Sequence, residues 1–172
     1  MTHWDTALPH PLSKLHELEF DYANGEGMDF EPYSAFLTAN ETCVWFRAWT
    51  GNKEVDGAEF RIFGQDGTGG YAAFWLVDSS RSLLDQPVVF LGSEGEKGVV
   101  AANFQDYLWL LAGGIGPCEA VSYPGLKREP NTAFTKFANE YSSTGAQQPD
   151  AVLVKAKKAY PMFVERLDSL CR

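Results

Sequence analysis

The stretch FRIFGQDGTGGYAAFWL at residues 60–76 decides the fold, because two strand patterns flank a turn. Apolar and polar residues largely alternate over residues 58–63, which predicts a half-buried β-strand. The continuous apolar run at residues 71–77 is typical of a central strand that is covered on both faces. Between them, Asp66-Gly67 predicts a hairpin turn, because glycine readily supplies the positive φ that such turns require.

Two further strands are expected after this hairpin. Residues 87–91 (PVVFL) are apolar and begin with a proline, which is tolerated at the start of a strand. Residues 92–95 then predict a turn, and residues 97–101 predict one more short strand. Connections this short favour antiparallel pairing of neighbouring strands.

The segment TCVWFRAWT at residues 42–50 fits two structures. As a helix, it would place Trp45 and Trp49 on one face. Its β-branched and aromatic content, together with the flanking Asn40 and Gly51, favours a strand instead. We therefore expect a strand here, and in either structure we expect both tryptophans in the core.

The chain before this segment is expected to hold two short helices. Residues 1–30 are irregular and broken by proline and glycine, with room for a helix over residues 13–20. Pro32 suits the first position of a helix, and the apolar residues after it have helical spacing. A second helix is therefore expected to reach about residue 40.

Helical patterns return after the strands. Asn103 is a suitable N-cap for a helix that a glycine pair at residues 113–114 would end. Further helices are predicted at residues 131–141 and 151–170. Pro161 is expected to kink the last of these helices or to split it in two.

These elements predict an α+β fold, with a mainly antiparallel sheet of about four to six strands flanked by N-terminal and C-terminal helices. At roughly 100–200 residues per domain, a chain of 172 residues points to a single domain over residues 1–172. Within it, residues 117–172 are expected to form a helical C-terminal extension.

The charge of the chain favours some partners over others. With 23 acidic and 14 basic residues, the net charge is −9. Nine of the acids, with only three bases, lie within residues 54–106. Such a segment repels phosphate backbones, so nucleic acid is not expected as a partner, whereas a basic protein would be attracted. The alternative is that the acidic charge serves solubility alone.

Cysteine content and hydropathy bear on the compartment. The three cysteines are scattered and form neither a disulfide framework nor a metal-ligand spacing: Cys43, Cys118 and Cys171. No run approaches the roughly 20 apolar residues of a membrane span. The first residues do not resemble a secretory signal. We therefore expect a cytoplasmic protein without a membrane partner.

No residue pattern predicts catalysis. The glycine-rich residues 64–70 lack the Gly-Lys-Ser/Thr ending of a phosphate loop and precede a strand rather than a helix. His3, His10 and His16 lie in the N-terminal segment, away from any recognisable nucleophile motif. The sequence thus predicts no catalytic residue, no metal site and no cofactor. Carboxylates at strand ends leave a small hydrolase as an alternative.

Three strings, taken in order, resemble the SUKH superfamily, which includes bacterial toxin-immunity proteins and fungal cell-wall-assembly regulators. They are FRIFGQDGTGGYAAFWL, QPVVFLGSEGE and VVAANFQDYLWLLAGG. Members typically show a strand, a Gly-Asp-Gly-x-Gly-type turn, an apolar strand, a Pro-Val-Val strand with an acidic turn, and a helix that opens near a Phe. Here Gln65 interrupts the Gly-Asp step of the turn. The likeness covers residues 31–116, a SUKH-like core.

The resemblance implies an α+β fold and, for bacterial members, neutralisation of a cognate toxin by direct binding. It offers no shared catalytic residues. The toxins are often nucleases or deaminases, and nucleases are usually basic, which agrees with the acidic segment. The fungal relatives suggest the alternative of a regulatory scaffold that binds a housekeeping protein.

Resemblance and charge together predict a non-catalytic protein-binding domain, namely an immunity protein whose partner is a basic toxin domain. The contact surface is expected to be one acidic rim of strand-end loops, with Tyr71 as a buried anchor. The predicted contact residues are Asp66, Tyr71, Asp78, Asp85, Glu94 and Glu96.

Overall fold

A computed structural model describes residues 4–172. Five strands in this part of the chain form one antiparallel sheet in the order β1-β2-β3-β4-β5. The strands are β1 Glu31–Pro32, β2 Phe60–Gln65, β3 Tyr71–Trp75, β4 Val88–Leu91 and β5 Lys97–Ala101. The helices are α1 His10–Leu15, α2 Ala39–Thr50, α3 Phe104–Ala112, α4 Pro117–Ser122, α5 Thr132–Tyr141, α6 Pro149–Ala159 and α7 Phe163–Leu170. The predicted α+β class is confirmed.

Each strand runs opposite to the one before it, so the connections alternate between two ends of the sheet. Residues 66–70 join β2 to β3, and residues 92–96 join β4 to β5, at what we call the turn end. The Ser93 hydroxyl donates a hydrogen bond to the Thr68 hydroxyl (2.9 Å), which links these two turns. Residues 76–87 join β3 to β4 at the opposite end, which we call the loop end.

The sheet has a hydrophobic core on each face. One core joins the sheet to α1, α3 and α5 through side chains such as Leu12, Tyr107 and Phe134. The other joins it to α2 and α7 through side chains such as Phe46 and Phe163. Because both faces of the sheet are covered, β3 and β4 are apolar at successive positions, as the run at residues 71–77 predicts.

Helix α6 covers one edge of the sheet, and β1 with the chain that follows it forms the other. Helix α6 packs beside β5, and its Val152 belongs to one core while its Ala156 belongs to the other. At the other edge, the backbone N–H groups of Tyr33 and Leu37 donate to carbonyl groups of β2. The packing of α6 beside β5 opposes pairing of that edge with a strand of another chain. The C-terminal helices predicted as an extension therefore contribute to the core.

The prediction of a strand at residues 42–50 is wrong, because these residues belong to helix α2. A capping box starts this helix: the Thr38 hydroxyl accepts from the Glu41 N–H (3.2 Å), and the Glu41 carboxylate accepts from the Thr38 N–H (2.8 Å). Gly51, with φ of 65°, ends it in the left-handed conformation. The propensity of the segment for strand is overridden by these local signals and by packing of Phe46 on the sheet.

The helix expected between residues 31 and 40 is also absent from the structure of residues 4–172. Pro32 lies instead in the two-residue edge strand β1, opposite Gly64 of β2. An edge strand tolerates proline because one side of it needs no N–H donor. The first helix covers His10–Leu15 rather than residues 13–20, with Pro11 in its first turn. Residues 1–3 lie outside the described part of the chain.

The predicted C-terminal elements are confirmed. The Asn103 side chain accepts from the Asp106 N–H at the start of α3 (2.9 Å), as an N-cap does. The last helical region is divided into α6 and α7 on either side of Pro161. Over residues 4–172, none of these helices has both the length and the apolar character needed to cross a bilayer.

Candidate functional site

The six residues predicted to bind a partner do not form one rim. Asp66, Glu94 and Glu96 lie in the two connections at the turn end, and Tyr71 begins the strand that leaves that end. Asp78 and Asp85 lie in the connection at the loop end, which is the opposite end of the strands. The prediction of a single acidic rim is therefore wrong, because strands of alternating direction send alternate connections to opposite ends.

Asp66 is not an exposed contact residue. Its side chain is 5% exposed, and its Oδ1 atom accepts hydrogen bonds from the Thr68 N–H (2.9 Å), the Thr68 hydroxyl (2.9 Å) and the Gly70 N–H (2.8 Å). A carboxylate that satisfies three donors of a tight turn orders that turn. The prediction that Asp66 faces a partner is corrected: this residue holds the β2–β3 turn together.

At the loop end, the two acids have local partners within their own loop. The Asp78 carboxylate accepts from the hydroxyl (2.6 Å) and the N–H (2.9 Å) of Ser80, and these bonds hold its pKa below the usual value. Its second oxygen lies 3.4 Å from Arg81 Nε. The exposed Asp85 carboxylate accepts from the Ser82 hydroxyl (2.8 Å). These contacts order an exposed loop.

At the turn end, Tyr71 belongs to a group of half-buried aromatic rings. Its ring centroid lies 4.7 Å from that of Trp45 on α2 and 6.4 Å from that of Tyr33, which follows β1. Both pairs meet edge to face, which is a favourable geometry for aromatic rings. The Tyr33 hydroxyl donates to Gln65 Oε1 (2.8 Å), and burial is the main cause that raises the pKa of this phenol.

Three exposed carboxylates lie at the same end of the sheet as these rings. Gln65 donates to the Glu31 carboxylate (2.9 Å), so Glu31 and Tyr33 are joined through one amide. Glu94 and Glu96 stand on the β4–β5 turn. This turn is fixed to the aromatic group because Trp49, which adjoins Trp45, donates from Nε1 to the Gly92 carbonyl (2.7 Å).

We call this surface the aromatic–acidic patch and define it by Tyr33, Trp45, Tyr71, Glu31, Glu94 and Glu96. The nearby cation Lys97 is paired with Asp168 of α7 (2.6 Å) and lies 5.6 Å from the Trp49 ring centroid. Asp168 thus balances the charge of Lys97, and the carboxylates of the patch give this surface a negative charge. The sequence predicted Tyr71, Glu94 and Glu96 but missed the other three, because β1 and α2 were assigned to the wrong structures.

Trp45 and Trp49 are half-buried rather than fully buried in the core. The helical spacing of the two tryptophans, four residues apart, was the signal that could have found Trp45. That spacing places both rings on one face of α2, and this face meets the sheet at its turn end.

A second group of polar side chains lies on the other face of the turn end. Asp29, Asp66 and Cys118 each offer one ligand atom, and these atoms lie within 4.8 Å of one another. Burial, followed by the Asp66 and Glu119 carboxylates, raises the pKa of the Cys118 thiol to about 12. Burial also raises the pKa of Glu119, whose Oε1 atom accepts from the Asp29 N–H (2.7 Å). Sequence spacing could not reveal this group, since its members are far apart in the chain.

Two histidines of the described chain have packing roles. His16 places Nδ1 2.6 Å from the Tyr33 carbonyl, and its ring lies among Phe20, Phe30 and Phe63. Burial lowers its pKa, so the neutral imidazole is favoured. The His10 ring contacts Tyr141 of α5. His3 lies outside the described residues.

Comparison of the chain with protein-family models, with curated proteins and with solved structures finds no match. The resemblance to the SUKH superfamily therefore stays a prediction that rests on residues 31–116.

Proposed function

We propose that this protein is a non-catalytic binding partner of a basic protein, and that this partner is a toxin which it neutralises as an immunity protein. The aromatic–acidic patch is the observation that supports the proposal. It combines half-buried rings with exposed carboxylates at one end of a sheet whose two faces are covered. The toxin as partner comes from the SUKH resemblance.

The rings of the patch have the character of the central residues of an interface, which contribute most of its binding energy. Large aromatic side chains dominate binding energy at such centres, because they bury much apolar area while fixing few torsions. Tyr71 is braced on two sides by Tyr33 and Trp45, so little conformational entropy is lost when a partner covers it.

The carboxylates of the patch suit its rim. Glu31, Glu94 and Glu96 are exposed, and solvated rim charges act chiefly on the rate and selectivity of association. The chain as a whole carries a charge of −9, which adds long-range attraction for a basic partner. We therefore expect association to be fast at low ionic strength and to slow as salt is added.

The proposal is tested by co-purification of the tagged full-length protein from its native host at low and high salt, with partners identified by mass spectrometry. Two triple variants are compared with the unchanged protein. One neutralises the turn end (Glu31→Gln, Glu94→Gln, Glu96→Gln). The other, which we call the loop-end variant, removes the same charge outside the patch: Asp78→Asn and Asp85→Asn at the loop end, with Glu54→Gln in the link between α2 and β2. We expect a basic partner that is captured by the unchanged protein and the loop-end variant but weakly by the turn-end variant.

Other outcomes contradict the proposal in distinct ways. A housekeeping partner held equally at both salt concentrations would favour the regulatory scaffold. Loss of the partner in the loop-end variant alone would move the contact surface away from the patch. Absence of any partner, together with turnover of a small substrate, would favour the hydrolase.

A further inference from the structure

The cluster formed by Asp29, Asp66 and Cys118 joins three distant parts of the chain. Asp29 precedes β1, Asp66 starts the β2–β3 turn, and Cys118 lies in α4. Their ligand atoms lie within 4.8 Å of one another on the face of the turn end opposite α2. The two carboxylates bring negative charge close to the thiol, and the site is half-buried at Asp29 and Cys118 and buried at Asp66.

Each carboxylate of the cluster is oriented through one of its two oxygens. Asp29 Oδ1 accepts from the Gly67 N–H (2.8 Å), and Asp66 Oδ1 accepts the three bonds of its own turn. The hydrogen bonds of the turn use neither Oδ2 atom, and the Asp66 carboxylate is also a hydrogen-bond partner of the Cys118 thiol. The turn therefore fixes both side chains and leaves one oxygen on each for another ligand.

A fourth group beside the cluster lacks a partner. Glu119 is 3% exposed, and its Oε1 atom is held by the Asp29 N–H. Its Oε2 atom is buried and has no hydrogen-bond partner among the described residues. The Arg128 guanidinium, which also has an unpaired buried nitrogen, lies near enough to attract this carboxylate but forms no ion pair with it. A buried carboxylate oxygen is rarely left unpaired, because its desolvation is costly. Positive charge bound at the adjoining Asp29 would offset that cost.

We propose that Asp29, Asp66 and Cys118 bind a borderline-soft divalent cation of the Zn²⁺ class. Carboxylate oxygen alone would suit Mg²⁺ or Ca²⁺, whereas a thiolate ligand selects for zinc and similar ions. When the bond from Cys118 Sγ to the metal forms, the thiol proton is released to solvent. The set supplies three protein ligands and leaves a fourth position for water.

The observed spacing is compatible with this assignment. Zn–S bonds of about 2.3 Å and Zn–O bonds of about 2.1 Å in a tetrahedron place ligand atoms roughly 3.5 Å apart. Atoms already within 4.8 Å reach that spacing through small side-chain rotations. The ion would tie the segment before β1 and α4 to the β2–β3 turn. This proposal does not depend on the aromatic–acidic patch.

The test is a titration of the metal-free full-length protein with Co²⁺, followed by displacement with Zn²⁺. We expect one equivalent of Co²⁺ to give a thiolate-to-cobalt charge-transfer band, and Zn²⁺ to abolish that band and raise the melting temperature. Cys118→Ser should abolish the band and weaken Zn²⁺ binding by more than about 100-fold, since even outer-shell changes cost about 10–100-fold. Asp29→Asn should weaken Zn²⁺ binding by at least about 10-fold.

The matched control is the double variant Cys43→Ser, Cys171→Ser, which removes the other two thiols and should leave the band unchanged. Circular dichroism of the metal-free Cys118→Ser variant checks that it folds. Absence of the band in the unchanged protein would overturn the proposal whether or not any variant folds. Persistence of the band in Cys118→Ser, with loss in the double variant, would show coordination by unrelated thiols and would also overturn it.

Discussion

The turn end and the loop end of the sheet carry the same kind of residue in different surroundings. At the turn end, Asp66 is 5% exposed and holds three donors of a tight turn. At the loop end, Asp85 is exposed and holds one serine hydroxyl. Both lie close to strand-like runs in the sequence, Asp66 after one and Asp85 before one. An acid next to a strand can therefore be a buried hydrogen-bond acceptor that orders the fold or a solvated charge, and burial decides which.

The ends differ also in their aromatic neighbours. The turn end presents Tyr33, Trp45 and Tyr71 next to exposed carboxylates. At the loop end, Tyr160 packs against Trp75 and accepts a hydrogen bond from Arg81 (3.0 Å), so a cation stands beside the ring. Within the described chain, the turn end is where a group of three rings lies beside carboxylates that form no ion pair. The comparison therefore favours the turn end as the contact surface for a basic partner.

The largest expected contrast between the ends is in stability. Replacement of Asp66 by Ala removes the acceptor of the Thr68 and Gly70 N–H groups, and Gly70 is buried. A buried donor left unpaired costs about 1–3 kcal/mol, so we expect the free energy of unfolding to fall by about 3 kcal/mol. Urea denaturation followed by circular dichroism measures this change.

The matched variant is Asp85→Ala. It removes one exposed hydrogen bond, and we expect a change within about 0.5 kcal/mol, as for most surface substitutions. Equal losses for the two variants would mean that the turn around Asp66 is no more dependent on its carboxylate than the opposite loop is.

The next contrast is in affinity for the partner captured by co-purification. Truncation of Tyr71 to Ala removes the ring that joins Tyr33 to Trp45, and loss of an aromatic anchor costs about 2 kcal/mol. We expect the dissociation constant to rise by about 30-fold. Isothermal titration calorimetry measures it.

Tyr160→Ala is the control at the loop end, since it removes a half-buried tyrosine of the same size. We expect its dissociation constant to stay within about twofold of the unchanged protein, because rim and remote positions contribute little to binding. If Tyr160→Ala and Tyr71→Ala lower the affinity equally, the assignment of the contact surface to the turn end is contradicted.

Much of the sheet could be predicted because its patterns are local. The alternation over residues 58–63, the apolar run over residues 71–77 and the Asp66-Gly67 turn each lie within a few neighbouring residues. Helix α2 was missed because its start depends on Thr38 and Glu41, which stand outside the aromatic run that favoured a strand. A strand of two residues, such as β1, has no periodicity for a pattern to detect.

The candidate site was predicted only in part, for a different reason. Glu31 and Tyr33 reach it through pairing of β1 with β2, and Trp45 reaches it through packing of α2 on the sheet. These are contacts between distant residues, which propensity and periodicity do not contain. The single rim that included both Asp78 and Glu94 was an error of a third kind, because the predicted antiparallel order of the strands already implies that their connections lie at opposite ends.

A smaller contrast is expected in the rate of association. Neutralising Glu31, Glu94 and Glu96 together removes three exposed charges from the turn end, and we expect the association rate at low salt to fall by about 10-fold. Its dependence on ionic strength should become shallower, because fewer charges remain to be screened. Stopped-flow or surface-plasmon kinetics at several salt concentrations measure both quantities.

The loop-end triple variant Glu54→Gln, Asp78→Asn, Asp85→Asn changes the net charge by the same amount. It should leave the association rate within about twofold of the unchanged protein, because Asp78 and Asp85 lie at the far end of the sheet and Glu54 lies outside the patch. If the two triple variants slow association equally, the net charge alone steers the partner, and the patch has no special part in the encounter.

The smallest expected effect concerns the pH dependence of the loop end. Hydrogen bonds from the Ser80 hydroxyl and then from its N–H lower the pKa of Asp78 in the folded protein. A carboxyl group whose pKa is lower in the folded state stabilises that state above its unfolded pKa. This contribution is lost as the pH falls through the folded pKa. We therefore expect a slight loss of stability over that acidic range, and solvent screening keeps it small because the group is exposed.

Carbon-detected NMR titration of the Asp78 carboxyl group measures its pKa directly. The Ser80→Ala variant removes the hydroxyl donor and keeps the backbone donor, so the pKa of Asp78 should move back toward its usual value. If the pKa of Asp78 equals the usual value in the unchanged protein, the Ser80 contacts do not persist in solution. Asp78 would then be a freely solvated acid, in greater contrast to the ordered Asp66 turn.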